Sequence, residues 1–238
     1  MIPLRDSTRS ETYPFVTKTI IYLNVAVFLW ELSLGRELPR AFARYAIIPA
    51  RYVYPQEAAE SFGAFGNPMA ALLPFATSMF LHGGWLHLLG NMWTLWIFGD
   101  NVEDRLGHGR FLFFYLGGGL TAGLVHVVTN GGSDVPTLGA SGAIAAVMGA
   151  YFRFFPHARV EAIIPPFFFG PTIVLPAVVF LGFWFLLQFF NGAFSLVSSR
   201  TQFGGIAWWA HVGGFAFGLV VCLFARGSRR TPPPIIEI

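Results

Sequence analysis

Cysteine and charged residues are both scarce in this 238-residue sequence. Cysteine occurs once, as Cys222, which excludes an internal disulfide and a cysteine-based metal cluster. Charged residues make up 11% of the chain, against about 25% in an average soluble domain. The net charge of +3 is spread between apolar runs and forms no basic stripe, so we expect no nucleic-acid partner.

Apolar residues are abundant: 55% of the chain is hydrophobic, and 27 residues are Phe. A membrane-spanning helix needs about 20 predominantly apolar residues. We therefore predict an all-α membrane protein that contacts the lipid bilayer. Its six transmembrane helices are placed at about 18–34, 77–98, 111–129, 140–155, 171–191 and 206–225.

The rest of the chain is divided around these runs. We predict an N-terminal tail at 1–17, one six-helix domain at 18–226 and a C-terminal tail at 227–238. The long segment 35–76 is rich in Phe, Tyr and Ala, so short interfacial helices are expected there. The three consecutive prolines in the C-terminal tail argue against further helix.

Orientation follows from the placement of Lys and Arg. With the N-terminus in the cytoplasm, ten of these residues fall on the inner side and five on the outer side. Both termini are therefore expected in the cytoplasm. The start of the chain lacks an apolar core with a cleavage site, so no removable signal peptide is expected. A six-helix form fits a prokaryotic inner membrane, with an organelle as the alternative.

Three of the predicted helices bring polar residues to one membrane depth. The second, fourth and sixth helices run in the same direction, so their N-terminal parts lie in one leaflet. The second carries His82, His87 and Asn91, the fourth Ser141 and the sixth His211. Polar groups are costly in lipid and usually face the bundle interior. We therefore expect these side chains to converge.

This set of residues fits acyl transfer. A serine becomes a nucleophile when a base takes its proton, so Ser141 and His211 are candidates for that pair. His87 and Asn91 are four residues apart, share a helix face and can donate hydrogen bonds to an oxyanion, as can the Ser141 backbone N–H. His82 lies about 140° around the predicted helix from His87, so we expect it to brace the loop instead.

Small residues predict close contact between the fourth and sixth helices. In membrane helices, small residues spaced four apart let two backbones approach each other. Each of the two helices carries one such stripe, which would bring the serine and the histidine together. The stripes are Ser141, Ala145 and Gly149 in one helix, and Ala210, Gly214 and Gly218 in the other.

Simpler interpretations stay open at this point. A serine in an apolar helix often bonds only to a backbone carbonyl. The histidines His82, His87 and His211 could instead bind a metal, but the sequence has no HExxH and no nearby carboxylate. We predict no metal and no cofactor. Three further histidines receive no role: His108, His126 and His157.

Three motifs in order, "HGGWLHLLGN", "GASG" and "AHVGGFAFG", resemble those of the rhomboid intramembrane serine proteases. The resemblance covers roughly 18–226. It implies a six-helix rhomboid-like bundle, with Ser141 as nucleophile and His211 as general base in a dyad without aspartate. It also implies His87 and Asn91 as oxyanion donors and Gly139 in the tight turn before the serine. A lateral gate near the fifth helix and a mobile cap belong to the same family pattern.

The resemblance extends to "VEDRLG", where it implies structural roles for Glu103 and Gly107. Two positions depart from the family. Leu73-Pro74 stands where members often have Trp-Arg, and Ala145 stands where many have an aromatic residue that stacks on the histidine. Support for the base must then come from another aromatic residue, the candidates being Trp208, Trp209 and Phe215.

The function that follows is hydrolysis of peptide bonds in or near the spanning helices of other membrane proteins. One rival is a catalytically inactive rhomboid-like protein that binds such helices, although such proteins usually lack the serine or the histidine. Another rival is a small transporter or channel, which predicts internal repeats. No convincing repeat relates the two halves of the sequence.

Overall fold

The computed structural model describes residues 1–164, 172–197 and 207–225, and it is mostly helical. The predicted tail at 227–238 lies outside the described residues. The helices are α1 (Phe15–Ser33), α2 (Leu38–Tyr45), α3 (Ala50–Val53), α4 (Pro55–Phe62), α5 (Pro68–Thr77), α6 (Trp85–Leu106), α7 (His108–Thr129), α8 (Ser141–Phe154), α9 (Ala177–Val197) and α10 (Trp208–Phe224). Two short 3₁₀ helices occupy Gly35–Glu37 and Ser78–Phe80. The strands are β1 (Ile2–Asp6), β2 (Arg159–Ile163) and β3 (Ile173–Pro176).

Among the described residues, three helical segments are long and apolar enough to cross a membrane: Phe15–Ser33, His108–Thr129 and Ala177–Leu196. A fourth span results if Pro68–Phe80 and Trp85–Leu106, which meet at an angle of 81°, are counted as one broken span. The helix α10 is apolar but shorter. A helical membrane fold is therefore supported, while the count of six helices and the domain limits 18–226 stay predictions.

The expectation of an all-α protein was incomplete, because the three strands form one antiparallel sheet in the order β1-β2-β3. In the register of β1 with β2, Ile2 faces Ile163 and Asp6 faces Val160. The fifth helix, predicted from residue 171, begins at Ala177. The four residues before it are extended, and their composition of Ile, Val, Leu and Pro suits a strand better than a helix interior.

The second predicted helix was also placed wrongly. The expected range was 77–98, but α6 begins at Trp85 and continues to Leu106. Gly83 and Gly84 follow the 3₁₀ helix and interrupt the helical run, so His82 lies in a loop before α6 and not on its surface. The expected short helices in 35–76 are present as α2 to α5.

The helix α8 lies at the centre of the molecule. Every residue from Gly142 to Tyr151 is buried, which is typical of a helix surrounded by others. Its closest neighbour is α10, as the stripes of small residues predicted. A Cβ atom on Gly214 would overlap the backbone oxygen of Gly142, and one on Gly218 would overlap that of Ala146. The two backbones therefore touch, and the start of α8 is brought to the start of α10.

Candidate active site

Ser141 is the first residue of α8, at the end of a tight turn. Gly139 in that turn has a φ of 119°, a conformation that residues with a side chain rarely adopt. A Cβ atom there would lie 2.6 Å from Nε2 of His87. The backbone N–H of Gly139 donates to the carbonyl of Ser78 at 2.8 Å, which fixes the turn against the segment before α6. The turn thus presents the serine beside α6.

The structure brings Ser141 and His211 into contact. The serine Oγ lies 2.8 Å from Nε2 of the histidine, although the two residues are 70 positions apart in the chain. His211 is in the first turn of α10, and α10 packs backbone to backbone against α8. The approach of the two helices therefore sets the distance between the serine hydroxyl and the imidazole ring.

The other ring nitrogen of His211 has a partner that the sequence reasoning missed. Its Nδ1 lies 2.7 Å from Oε1 of Gln188 on α9. One helical turn earlier, the Trp184 ring lies 5.8 Å from the histidine ring at an interplanar angle of 37°. Support for His211 was expected from Trp208, Trp209 or Phe215, but the indole beside it comes from α9. The available signal was Gln188 itself, a polar residue in an apolar span.

His87 and Asn91 lie on the face of α6 that lines the same cavity. The backbone N–H of Gly83 donates to Nδ1 of His87 at 3.3 Å, which leaves Nε2 to carry the proton of the neutral ring. That Nε2 is the ring atom nearest to the Cβ position of Gly139, in the turn before Ser141. Nδ2 of Asn91 is buried, with no hydrogen-bond partner among the described residues. Both side chains can therefore donate into the cavity.

His82 is buried and stacks edge-on against His87, with ring centroids 5.0 Å apart. Its backbone N–H donates to the carboxylate of Glu31 on α1, at 3.0 and 3.3 Å to the two oxygens. Neither of its ring nitrogens has a partner within the part of the chain that the structure describes. The expected bracing of the loop is made through the backbone, and Glu31 is a contributor that the sequence reasoning missed.

Glu103 and Gly107 lie away from the cavity, near the other end of α6. The fully buried carboxylate of Glu103 accepts the backbone N–H groups of Val16 and Thr17 at 2.8 and 2.7 Å. These are first-turn groups of α1 that have no partner within their own helix. Gly107, with a φ of 82°, stands between α6 and α7. The geometry suits the structural roles that the resemblance implies.

One cavity of about 850 Å³, large enough for a stretch of peptide, is lined by four of the predicted polar residues: His87, Asn91, Ser141 and His211. Its walls come from α6, α8, α9, α10 and the start of β1, together with Phe42 of α2, Gly83 and the loop residues 135–138 before α8. Across the described residues, no three His, Cys, Asp or Glu side chains are arranged to hold a metal ion. The arrangement offers a nucleophile, a base and hydrogen-bond donors in one place, which are the components of acyl-transfer chemistry.

Several known proteins are similar in sequence to this chain. The rhomboid domain family model matches residues 70–228. Human presenilin-associated rhomboid-like protein, mitochondrial, is 30% identical over 210 residues, which cover 84% of this chain and 45% of that protein. Yeast rhomboid protein 1, mitochondrial, is 26% identical over 222 residues, covering 90% of this chain and 54% of the relative. Rhomboid protease GluP of Bacillus subtilis is 32% identical over 158 residues, covering 65% of this chain and 28% of the relative.

Two conclusions follow from these relatives. The expectation of a prokaryotic inner membrane is contradicted, because the relatives that match 84% and 90% of the chain are named as mitochondrial proteins of eukaryotes. The chain spans about half the length of these mitochondrial relatives. The family model covers well over half of the chain, and the motifs of the sequence lie around one cavity. The chain belongs to the rhomboid family.

Proposed function

We propose that this chain is an intramembrane serine endopeptidase. The observation that carries the proposal is the 2.8 Å contact between Oγ of Ser141 and Nε2 of His211. A general base must be within hydrogen-bond reach of the proton that it removes, and this distance meets that condition before any substrate is bound. One relative, from Bacillus subtilis, is named a protease, which gives the proposal independent support.

The chemistry proceeds in two stages. The base His211 takes the proton of Ser141 as Oγ attacks the carbonyl carbon of the peptide bond. The imidazolium then gives that proton to the amide nitrogen, the C–N bond breaks and the amine leaves. A water molecule, deprotonated by the same ring, attacks the resulting ester, and Oγ recovers its proton.

The donors around the serine suit the charge that develops during attack. The side chains of His87 and Asn91 are among those that line the cavity, and the N–H of Ser141 stands at the N-terminal end of α8. Donors fixed in a site that excludes bulk water stabilise an oxyanion strongly. Because Asn91 Nδ2 has no partner in the described chain, it can bond to an oxyanion without giving up an existing bond.

The proposed substrates are the spanning helices of other membrane proteins. The chain has helices that are long and apolar enough to cross a bilayer, and its cavity is lined by apolar residues of α6 and α9 together with the catalytic groups. A helix hides its peptide bonds in its own hydrogen bonds. A substrate must therefore unwind at the cleavage point, which favours sites with small or helix-breaking residues.

The test is cleavage of a model single-span substrate by protein reconstituted in lipid vesicles. The substitution Ser141→Ala is expected to abolish cleavage, since it removes the nucleophile. Ser33→Ala is the matched control, because its Oγ bonds to the backbone carbonyl of Trp30 at the end of α1. Undiminished cleavage by Ser141→Ala would contradict the proposal. Substrate binding without cleavage by the unaltered protein would favour the inactive rhomboid-like binder.

A further inference from the structure

Gln188 is a buried polar residue on the otherwise apolar helix α9. Its side chain is 7% exposed, and its neighbours in sequence are Leu and Phe. Burying an amide in apolar surroundings is unfavourable unless the group is hydrogen-bonded. The partner is the ring of His211, at 2.7 Å between Oε1 and Nδ1. The position of this amide therefore points to a role toward the histidine.

The bond has a consequence for the protonation of the ring. An amide oxygen can only accept, so Nδ1 of His211 is the nitrogen that carries the proton. In the neutral ring Nε2 is then bare and can accept the proton of Ser141, which is the form that a general base requires. We propose that Gln188 is a positioning residue that holds His211 in this tautomer and orientation. The proposal rests on the protease function and extends the Ser-His pair by a third, neutral member.

Helix α9 supplies the second constraint on the same ring. Trp184 lies one helical turn before Gln188 and packs against the histidine at 5.8 Å between ring centroids. One helix thus limits both the tilt of the ring and its rotation. His87 on α6 and His126 on α7 are the other titratable groups that interact with this histidine, and the variants below leave both unchanged.

Two substitutions separate positioning from packing. Gln188→Leu keeps a side chain of similar size but removes the acceptor, and kcat is expected to fall about 10-fold with KM unchanged, the loss typical of one hydrogen bond. Gln188→Glu keeps an acceptor and cannot donate, so kcat should stay within about 3-fold. The carboxylate also stabilises the imidazolium, so the acidic limb of the pH–rate profile should move to higher pH. Asn191→Leu is the control on the same helix, since its exposed amide donates to the carbonyl of Leu187.

A second readout is the rate at which a fluorophosphonate labels Ser141, which needs the base but no protein substrate. We expect the unaltered protein and Gln188→Glu to be labelled fast and Gln188→Leu to be labelled slowly. The three proteins should have equal melting temperatures. Equal labelling rates and pH profiles in all three would overturn the positioning role, as would equal losses in both variants together with a lower melting temperature. If Ser141→Ala still cleaves substrate, the protease proposal fails instead, and the two failures are distinguishable.

A different observation concerns β1, which borders the active-site cavity. Residues Met1, Ile2 and Pro3 line this cavity together with Trp93 of α6 and Phe180 of α9. The indole N–H of Trp93 donates to the carbonyl of Pro3 at 2.6 Å. The C-terminal end of β1 is bonded to α6 and α8, because the carboxylate of Asp6 accepts hydrogen bonds from Tyr151 of α8 and, at 3.1 Å, from Asn101 of α6.

The strand therefore forms part of the cavity wall beside α6 and α9. It is held there by its pairing with β2, by the ion pair between Arg5 and Glu161, and by the contacts of Pro3 and Asp6 with the helices. We propose that β1 is an autoinhibitory strap: it covers the side of the cavity through which a spanning helix would reach Ser141, and it must move aside for such a substrate. This proposal also rests on the protease function, but not on the role of Gln188.

A reversible cross-link tests the strap without removing any of it. Ile2 and Ile163 face each other in the β1–β2 register, so Ile2→Cys and Ile163→Cys are combined in a Cys222→Ala background. Oxidation is expected to lower cleavage of a single-span substrate at least 10-fold, roughly the effect of holding a lid closed, and dithiothreitol should restore it. Labelling of the serine by a small fluorophosphonate should persist when oxidised. Each single-cysteine variant is a control.

Full cleavage activity of the verified cross-linked protein would overturn the strap. Loss of both cleavage and labelling on oxidation would also overturn it, because the cross-link would then act by distorting the site. The cysteine substitutions could themselves abolish cleavage, in which case the reduced double variant and the single variants are inactive while the unaltered protein is active. Trp93→Phe then provides the second test. It removes the N–H that holds Pro3 and is expected to lower KM with kcat unchanged; an unchanged KM would overturn the strap.

Discussion

Replacing Glu103 with glutamine removes a buried charge that closes the first turn of α1. The carboxylate accepts two helix N–H groups, from Val16 and Thr17, and lies 2.5 Å from Nδ1 of His108. Glutamine retains one acceptor oxygen and turns an NH₂ group toward donors, so one helix N–H is left buried and unpaired. Hydrogen bonds to charged groups contribute roughly 1.5–3 kcal/mol each, and an unpaired buried donor costs about 1–3 kcal/mol. We expect Glu103→Gln to lower the free energy of unfolding by roughly 3–5 kcal/mol.

The assay is thermal unfolding in detergent, together with fluorophosphonate labelling of Ser141 at low temperature. For a protein of this size the loss corresponds to a drop of roughly 10 °C in melting temperature. Labelling of the folded protein should be unchanged, because the carboxylate is not among the residues that line the cavity. The control is Glu60→Gln, which changes an exposed carboxylate on α4 and should leave the melting temperature unchanged. An unchanged melting temperature with lost labelling would refute the structural role of Glu103.

Three further predictions follow from the same geometry. Gly214→Ala should reduce cleavage about 100-fold, because the added methyl group would push α10 off the backbone oxygen of Gly142; Gly109→Ala, where a Cβ meets no atom within 4 Å, should cleave normally. Asn91→Ala should lower kcat about 100-fold with little change in KM, as expected for a lost oxyanion donor. Burial raises the pKa of Asp6 from 3.8 to about 7. The folded state therefore binds this proton more tightly than the unfolded state does. This difference contributes to the free energy of unfolding below pH 4, and the contribution is lost as the pH rises through 7. Asp6→Asn should flatten that part of the stability profile measured by unfolding at pH 5 and pH 8, and an unaltered profile would contradict the assignment.

The parts of the site that the sequence predicted are those carried by local spacing. Ser141 and His211 each stand at the start of a helix with small residues every fourth position, and this pattern alone indicated that the two helices would touch. His87 and Asn91 share a helix face for the same reason. The structure confirms that α8 and α10 approach closely, since a Cβ atom on Gly214 would overlap the backbone oxygen of Gly142. Helical periodicity is therefore enough to predict which residues share a helix face and which two helices pack together.

The parts that the sequence did not predict depend on long-range pairing. Strands β1 and β2 are separated by about 150 residues. β1 lacks an alternating pattern, and the alternation of polar and apolar residues in β2 extends over only five residues. The break before α6 follows from the pair Gly83 and Gly84, whose effect on a helix depends on what packs around it. Gln188 is recognisable as a polar residue in an apolar helix, but the sequence of α9 does not indicate that Gln188 and Trp184 face His211. Each of these features is fixed by a partner that lies far away in the chain.

The central claim is that Ser141 is a nucleophile activated by His211. The most direct measurement is mass-spectrometric mapping of the adduct formed by a fluorophosphonate on the folded, membrane-reconstituted protein. The account predicts one adduct, on Ser141, and its loss in His211→Ala without a change in melting temperature. No adduct on Ser141, or an adduct that forms equally fast without the histidine, would contradict it.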